Sequence, residues 1–349
     1  MASSSTFVTR LTLPRALRFL AGATAIGLVG ARYYANRKPI RLDSSTKLPP
    51  GSPASAAWNN LTPSRDLAFD AKTANKTLSF PRNMVFAKEL SVVAVEQVNH
   101  DTKRITLSLP SREEISGVSA GGAILTQHTP SNRYFPVLRP YTTISDPSTP
   151  GEIQLLIKHY PSGAASTYMH SLQSGDKLTV RGPLPGSPTW TPITSSSASD
   201  SKTALFVAGG TGITPLYSLL HSVLKNENDS TRIHLVWGIN TAHDIPLKKE
   251  LDQLLQAHPE KLRITYCVSR DSADISERQD SVIATNNTMA TFRKGYVDRA
   301  VLSDVLAQET KGKTSKIFFC GPPTMQSVLT GRKGIFKELG FEGKDVHVF

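Results

Sequence analysis

The clearest pattern of apolar and polar positions lies at residues 205–216, which read LFVAGGTGITPL. An apolar run over residues 205–208 breaks into a glycine-rich turn and restarts at Thr214-Pro215. This pattern predicts a buried strand, a tight turn and a helix start, with Thr214 as N-cap and Pro215 at the first helical position. The free backbone N–H groups of such a helix start suit a phosphate, although glycine turns also serve packing alone.

The C-terminal part alternates apolar strand candidates with amphipathic helix candidates. Strands are predicted at residues 204–208, 233–238, 262–268 and 317–320, with an edge strand at 346–349. Helices are predicted at residues 215–224, 247–258, 297–307, 325–329 and 334–339. Such a βαβ series predicts a parallel sheet with helices on both faces and a ligand at the carboxyl ends of the strands. The strand-end segments 209–212, 238–241, 269–270 and 321–323 therefore meet at one edge, which favours a nucleotide site.

The preceding part shows short, loosely alternating strands separated by Gly and Pro, which predicts a small antiparallel barrel. The strands are expected at residues 85–99, 102–109, 123–127, 141–145, 153–159 and 177–181, with one helix at 166–172. Residues 139–145 place an arginine, a phenol and hydroxyls along one strand, with Arg139, Tyr141 and Thr143 on one face and Thr142 on the other. Residues 163–167 repeat the small-residue helix start, with Ser166 as N-cap. The plain alternatives are an edge strand and an ordinary helix start.

The N-terminal segment differs from both parts. Residues 1–18 carry Ser, Thr and Arg and no acid, which is typical of a mitochondrial transit peptide. The apolar run at 19–31 is shorter than the roughly 20 residues of a membrane span, and snorkelling of Arg18 and Arg32 would extend it. We expect a mitochondrial targeting and transmembrane anchor over residues 1–40, with a secretory signal as the alternative, and a linker over 41–79.

Composition narrows the function classes. The net charge is +12, and the first 50 residues hold eight basic residues against Asp43 alone, so most of the excess belongs to the N-terminus. Basic and aromatic residues are not interleaved as in nucleic-acid binders. Cys267 and Cys320 are too few for a disulfide scaffold, and no His/Cys cluster has metal-ligand spacing. The domains are therefore expected to be a barrel over 80–192 and a nucleotide domain over 203–349, without a metal.

With these motifs, residues 80–349 resemble the ferredoxin–NADP reductase superfamily, most closely its cytochrome b5 reductase branch. The residues 139–142 (RPYT) are similar to the flavin-binding Arg-x-Tyr-Thr/Ser motif, residues 163–166 to the pyrophosphate segment, residues 209–215 to the nicotinamide-nucleotide loop and residues 320–325 (CGPPTM) to the signature near the nicotinamide. The resemblance implies an antiparallel FAD-binding β-barrel followed by a parallel-sheet domain that binds NADH or NADPH. It also implies that Arg139 contacts the FAD phosphates, that Tyr141 packs beside the flavin and that Thr142 lies near flavin N5.

The resemblance extends to a full set of site residues. It implies Thr142 and Cys320 as catalytic residues. The implied flavin-binding residues are Arg139, Pro140, Tyr141, Thr142, Ser145, Ile157, Lys158, Tyr160, Gly163, Ala165, Ser166 and Thr167. The implied nucleotide-binding residues are Gly209, Gly210, Thr211, Gly212, Thr214, Pro215, Thr241, Ser269, Arg270, Gly321, Pro322 and Met325.

Two departures from the family pattern affect these implications. Ala164 stands where b5 reductases usually carry lysine, so FAD affinity is expected to rest more on Arg139 and backbone amides. Ser269 stands where NADH-specific members typically place an acid before the arginine, which favours NADPH use alone or beside NADH. Residues 271–292 form a polar insert.

The function implied by the resemblance is hydride transfer from C4 of NADH or NADPH to N5 of FAD, followed by single-electron transfer to a haem protein such as cytochrome b5. One alternative is a mitochondrial flavoprotein that supports haem attachment to cytochrome c by reducing haem or a partner. Two others are a membrane-tethered flavoprotein that assembles a partner and a nucleotide-binding sensor, which leaves the barrel unexplained. The expected location is the mitochondrial inner membrane with the catalytic domains facing the intermembrane space, or else the outer membrane.

Overall fold

A computed structural model describes residues 87–184, 203–242, 245–270, 290–308 and 314–349. The chain divides into two units, residues 1–72 and 73–349, and all described residues belong to the second. No helix among them is long and apolar enough to cross a bilayer. The expected anchor, the linker over 41–79 and most of the polar insert lie outside the described residues.

The first sheet is antiparallel, with strand order β4-β3-β6-β1-β2-β5. Its strands are β1 (Lys88–Gln97), β2 (Thr102–Ser108), β3 (Ala123–His128), β4 (Val137–Thr142), β5 (Glu152–Lys158) and β6 (Lys177–Arg181). The sheet curls until a bridge between Thr143 and Leu155 joins its two outer strands. Helix α1 (Ala164–Ser171) connects β5 to β6. The curled antiparallel sheet matches the predicted barrel.

Strand β4 begins four residues earlier than the sequence pattern predicts. The sequence pattern predicts the strand at 141–145, with the side chains of 139–145 alternating along it. Proline lacks the N–H that the interior of a sheet needs. In the structure Pro140 lies within β4, opposite Leu125, and β4 pairs along its length only with β3. An outer strand tolerates the missing donor, so Arg139 and Pro140 belong to the sheet.

The second sheet is parallel throughout, with strand order β10-β9-β8-β7-β11-β12. Its strands are β7 (Thr203–Gly209), β8 (Arg232–Ile239), β9 (Leu262–Val268), β10 (Ala290–Lys294), β11 (Thr314–Cys320) and β12 (Val346–Val348). The helices are α2 (Ile213–Lys225), α3 (Lys248–Ala257), α4 (Arg299–Gln308), α5 (Pro323–Thr330) and α6 (Ile335–Glu338). The prediction for this sheet is confirmed, apart from β10, which takes up the end of the segment predicted as a polar insert.

The two sheets share one apolar core. Ile144 and Leu156 from the antiparallel sheet pack in the same buried cluster as Phe206, Leu220 and Trp237 from the parallel part. A second cluster fills the barrel, and a third lies on the other face of the parallel sheet. Burial of this much apolar surface between the sheets fixes them against each other.

Candidate functional site: two glycine-lined helix starts and the cleft between them

The glycine turn at the end of β7 packs closely against the end of β11 and against Met325. A Cβ at Gly212 would lie 2.1 Å from the carbonyl oxygen of Cys320, and one at Gly209 would lie 2.6 Å from Sδ of Met325. Gly210 has a φ of +53°, in the left-handed region that glycine adopts without strain. These positions therefore require glycine, and the backbone of the turn stays open on its other side.

Helix α2 starts directly from this turn. Its N-cap is Gly212, after a single 3-10 turn over Gly210–Gly212, and no side chain caps the helix. The prediction of Thr214 as N-cap and Pro215 at the first helical position was therefore wrong. The hydroxyl of Thr214 instead donates to the carbonyl oxygen of Thr211 at 3.1 Å. The amide groups of the first helical turn remain available to an anion.

The turn faces a second loop at the end of β11. Strands β7 and β11 are neighbours, and the chain leaves them in opposite directions across the sheet, which is where doubly wound sheets bind nucleotides. The loop contains Gly321 and Pro322, and Pro322 is the N-cap of α5. Met325 from α5 packs beneath Gly209. Burial raises the pKa of the half-buried Cys320 thiol to about 11, so this group is neutral near pH 7.

Strand β4 presents a cation beside a phenol. Arg139 is exposed, and its Nη1 donates to the adjacent carbonyl of Leu138 at 2.8 Å. Tyr141 packs on the barrel core; burial raises its pKa, and the positive charge of Arg139 offsets part of that rise. Thr142, at the end of the strand, is half-buried. The strand also contacts helix α2, which starts at the glycine turn.

Helix α1 repeats the uncapped start. It begins at Ala164 with Gly163 as N-cap, two residues before the predicted start. The prediction of Ser166 as N-cap was wrong because its hydroxyl turns back into the preceding loop, accepting from the amide of Tyr160 at 3.1 Å and donating to the carbonyl of Gly163 at 3.0 Å. Ala165 is buried in the first turn, so backbone amides rather than side chains line this helix start.

The remaining residues implied by resemblance divide between the cleft and the interior. Tyr160 reaches across the cleft, its hydroxyl 3.1 Å from Oγ1 of Thr211. Lys158 pairs with Asp101 at 2.7 Å, and Thr167 lies 3.4 Å from Nε2 of His159. The Ile157 side chain is buried in the barrel core, and the hydroxyl of Ser145 accepts from the amide of Gln154 at 3.1 Å. The side chain of Ile157 therefore packs inside the barrel.

A cavity of about 480 Å³ continues the cleft between the two sheets. It is lined by the hairpin turn and strand end of the barrel and by the ends of β8 and β9, namely His100, Asp101, Lys158, His159, Tyr160, Pro161, Asn240, Thr241 and Arg270. Ser269 does not line it, and its hydroxyl donates to the carbonyl of Ile239 at 3.3 Å. The sequence pattern missed the wall formed by His100, Asp101, His159 and Asn240, because no local signal links a hairpin turn to a strand end so distant in the chain.

Comparison with known proteins agrees with this geometry. The family described as "Oxidoreductase FAD-binding domain" matches residues 89–187, and "Oxidoreductase NAD-binding domain" matches residues 206–330. NADH-cytochrome b5 reductase 2 of Neurospora crassa is 37% identical over 270 residues, which cover 74% of this chain and 72% of that protein. The protein of the same name in Emericella nidulans is 35% identical over 270 residues, covering 74% and 77%.

Solved structures share the fold. The cytochrome b5 reductase domain of Ulva prolifera nitrate reductase superposes with a TM-score of 0.61 at 23% identity, covering 78% of this chain and all of that one. The CS-b5R domains of human Ncb5or superpose with a TM-score of 0.58 at 22% identity, covering 76% of this chain and 69% of that one.

Proposed function

Because the chain belongs to the NADH-cytochrome b5 reductase family, we propose that it carries electrons from a reduced nicotinamide dinucleotide through FAD to a haem protein, with cytochrome b5 as the acceptor. It is an oxidoreductase with an FAD-binding and an NAD-binding domain. The observation that carries the proposal is the pair of uncapped helix starts, α1 and α2, on either side of one cleft. Each offers backbone amides to a pyrophosphate.

The residues present fit both cofactors. The turn after β7 consists of glycines where a side chain would clash with Cys320 and Met325. A backbone without side chains lets a dinucleotide approach it closely. Arg139 supplies the exposed cation that the FAD phosphates require, and the amides of the α1 start supply further donors. Bound FAD supplies the exchange between two-electron and one-electron chemistry.

Side chains of this protein orient the reacting rings of the two cofactors. Tyr141, fixed on the barrel core, provides a wall for the flavin, and the hydroxyl of Thr142 provides a hydrogen bond to it. Cys320 contributes a neutral thiol at the end of β11, where it adds no charge beside the nicotinamide. The contact of Tyr160 with Thr211 joins the two sides of the cleft. We assign the flavin domain to residues 80–192 and the nucleotide domain to 203–349.

The test is the purified full-length protein. We expect flavin absorbance at one FAD per chain and NADH-dependent reduction of cytochrome b5 faster than that of cytochrome c or a quinone. Protein that purifies without flavin would contradict the assignment of the cofactor. Flavin-loaded protein that reduces cytochrome c or a quinone but not cytochrome b5 would contradict the acceptor alone.

We further propose that residues 1–40 target the protein to mitochondria and anchor it in the inner membrane, with the catalytic domains in the intermembrane space. The support is the Arg- and Ser-rich start without acids and the apolar run at 19–31. The protein should resist carbonate extraction and become protease-sensitive when the outer membrane is opened. Protease sensitivity in intact mitochondria would favour the outer membrane, and release by carbonate would contradict the anchor.

A further inference from the structure

Trp237 is a buried side chain that bonds directly to the backbone of the glycine turn. It lies near the end of β8, is 1% exposed, and its Nε1 donates to the carbonyl oxygen of Gly210 at 2.9 Å. Strands β7 and β8 pair so that Trp237 lies opposite Ala208, whose small side chain leaves room for the indole to reach across β7. The core of the parallel part thus holds one carbonyl of the turn.

This hydrogen bond fixes the peptide group between Gly210 and Thr211. The amide of Ile213 donates to the same carbonyl oxygen, so both lone pairs of that oxygen are used inside the protein. A trans peptide is planar, and its N–H points opposite to its C=O. Because the carbonyl is held toward the indole, the N–H of Thr211 points away from it. Thr211 also faces the cleft, where its hydroxyl lies 3.1 Å from that of Tyr160.

The peptide after Gly210 needs such a hydrogen bond because little else restricts it. Gly210 has a φ of +53°, and no atom of the described residues lies within 4 Å of a Cβ built on it. A glycine in open space allows the following peptide to rotate at low cost. A rotated peptide would direct a carbonyl oxygen into the cleft, where its partial negative charge repels a phosphate, whereas an N–H group binds one.

The indole is itself held by an aromatic row across the sheet. Trp237, Tyr266 and Phe292 lie opposite one another on β8, β9 and β10. The rings of Tyr266 and Phe292 stack with their centroids 4.8 Å apart, and the Trp237 and Tyr266 centroids are 6.1 Å apart. The buried hydroxyl of Tyr266 has no hydrogen-bond partner among the described residues, so Tyr266 supports the row through its ring.

We propose that Trp237 is a positioning residue for the nicotinamide dinucleotide. Its indole N–H orients the peptide after Gly210 so that the N–H of Thr211 donates to the pyrophosphate. The proposal rests on the proposed function, because it concerns the nucleotide site of the same reductase. Trp237 is buried and acts through the backbone of the turn, so its effect is confined to ligands that carry the pyrophosphate.

The test removes the indole N–H and measures binding of two fragments of the dinucleotide. Trp237→Phe removes the N–H together with part of the ring. Site-specific replacement of Trp237 by β-(3-benzothienyl)alanine keeps the bicyclic shape and puts sulfur in place of the N–H. In calorimetric titration of the FAD-loaded, full-length protein, both variants should bind ADP-ribose about fivefold more weakly than the parent, the net effect of one neutral hydrogen bond. Adenosine, which lacks the pyrophosphate, should compete with ADP-ribose with an unchanged affinity.

Tyr266→Phe is the matched control, because it removes a hydroxyl from the same row without touching the bond to the turn. It should leave the affinity for ADP-ribose unchanged. Rapid mixing with NADH provides a second measurement. Replacement of Trp237 should raise the NADH concentration that gives the half-maximal rate of flavin reduction and leave the limiting rate unchanged, as expected for a loss of binding alone.

The outcomes separate this proposal from the function on which it rests. An unchanged affinity for ADP-ribose in the benzothienylalanine variant would overturn the role of the N–H. Equal losses for ADP-ribose and adenosine, or an equal loss in Tyr266→Phe, would show a general effect on the fold and overturn it too. A parent protein that shows the predicted dependence on Trp237 but fails to reduce cytochrome b5 would support the positioning role and contradict the acceptor. A parent protein that does not bind ADP-ribose would overturn this proposal and the assignment of the nucleotide domain together.

Discussion

At the scale of single residues, Arg139 is the side chain on which flavin binding depends most. Its guanidinium is exposed on β4, and removing it takes away one or more charge-assisted hydrogen bonds to the FAD phosphates. We expect Arg139→Ala to weaken FAD binding about 10-fold to 100-fold while the fold persists. The ratio of flavin to protein absorbance and the circular dichroism spectrum measure both effects. Arg112→Ala, at an exposed arginine in the loop after β2, is the control, and full FAD retention in Arg139→Ala would refute the role.

Gly212 provides a second prediction at this scale. Its added Cβ would meet the carbonyl of Cys320 at 2.1 Å, so Gly212→Ala forces β7 and β11 apart at the nucleotide turn. We expect a loss of about 1–3 kcal/mol in the free energy of unfolding, as for other overpacked sites, and a larger loss in nucleotide affinity. Denaturant unfolding and titration with NAD⁺ measure the two. Gly343→Ala is the matched control, since no atom lies within 4 Å of its added Cβ, and an equal effect of both substitutions would contradict the close packing at Gly212.

At the scale of single residues, two N-cap predictions from the sequence were wrong. Ser166 and Thr214 have hydroxyls that suit an N-cap, but both helices start earlier and have a glycine as their N-cap. The hydroxyl of Ser166 instead fastens the loop before α1, where a Cβ on Gly163 would lie 2.6 Å from Ser166 Oγ. Local cap preference is a tendency that loop geometry overrides. The glycine motifs were therefore predictable, and the hydrogen bonds of the residues beside them were not.

At the scale of elements, helix α2 ties the nucleotide turn to the barrel. Ser218 accepts a hydrogen bond from the amide of Gly121 at 3.0 Å, and Lys225 at the helix end pairs with Asp146 at 2.6 Å. Burial raises the pKa of Asp146, but hydrogen bonds from Lys225 and Ser148 outweigh it and leave the pKa below its ordinary value. The ion pair therefore contributes stability at neutral pH that is lost as the pH falls below about 4.

We expect Asp146→Asn to lower the melting temperature at pH 7 and to flatten its decline below about pH 4. Lys225 is 59% exposed, so added salt should reduce the difference from the parent protein. Thermal unfolding across pH measures the effect. The control Glu342→Gln removes a more exposed ion pair with Lys344. It should leave the decline of the melting temperature at acid pH unchanged. If the melting temperatures of the parent and of Asp146→Asn declined in parallel at acid pH, the contribution of this pair would be refuted.

Most strands and helices could be predicted from the sequence, because the apolar positions of each element form a regular pattern within a short segment. The strands of the parallel sheet are apolar runs between helices, and β7 through β9 lie where the pattern places them. The start of β4 was misplaced because its position at the outer edge, which admits Pro140, follows from the strand order of the whole sheet. Strand β10 was missed because only five residues, Ala290–Lys294, separate the polar segment from Gly295.

At the scale of the whole molecule, the two sheets are held together by the apolar core that they share and by an ion pair of Arg104. This arginine from β2 forms an ion pair with Glu250 of α3, 146 positions away in the chain, and a longer one with Glu96 at 3.5 Å. No sequence pattern indicates such a pairing, because both residues lie on ordinary polar faces. The fold of each sheet was thus predictable, whereas the interface between them came only from the structure.

Reversing these charges tests the interface. Arg104→Glu and Glu250→Arg should each cost about 1.5–3 kcal/mol of unfolding free energy, the range for hydrogen bonds to charged groups. The double reversal should recover part of the loss. The rate of flavin reduction by NADH should follow the same order, since it depends on the placement of the two sheets. Additive losses in the double variant would show that the pair does not couple them.

Phe349, which follows β12, lies within this interface. Phe349 donates its amide to the carbonyl of Phe319, packs against the shared core, and comes within 3.1 Å of a Cβ built on Gly121 of the barrel part. A ribosome synthesises the barrel well before Phe349, so this contact between the sheets forms only after the whole parallel sheet has been made. The barrel can fold during synthesis as a unit, but its joint to the parallel sheet closes only once Phe349 is free to pack. Any substitution that removes the Phe349 ring would therefore act on the joint between the sheets and leave the folding of the barrel itself unchanged.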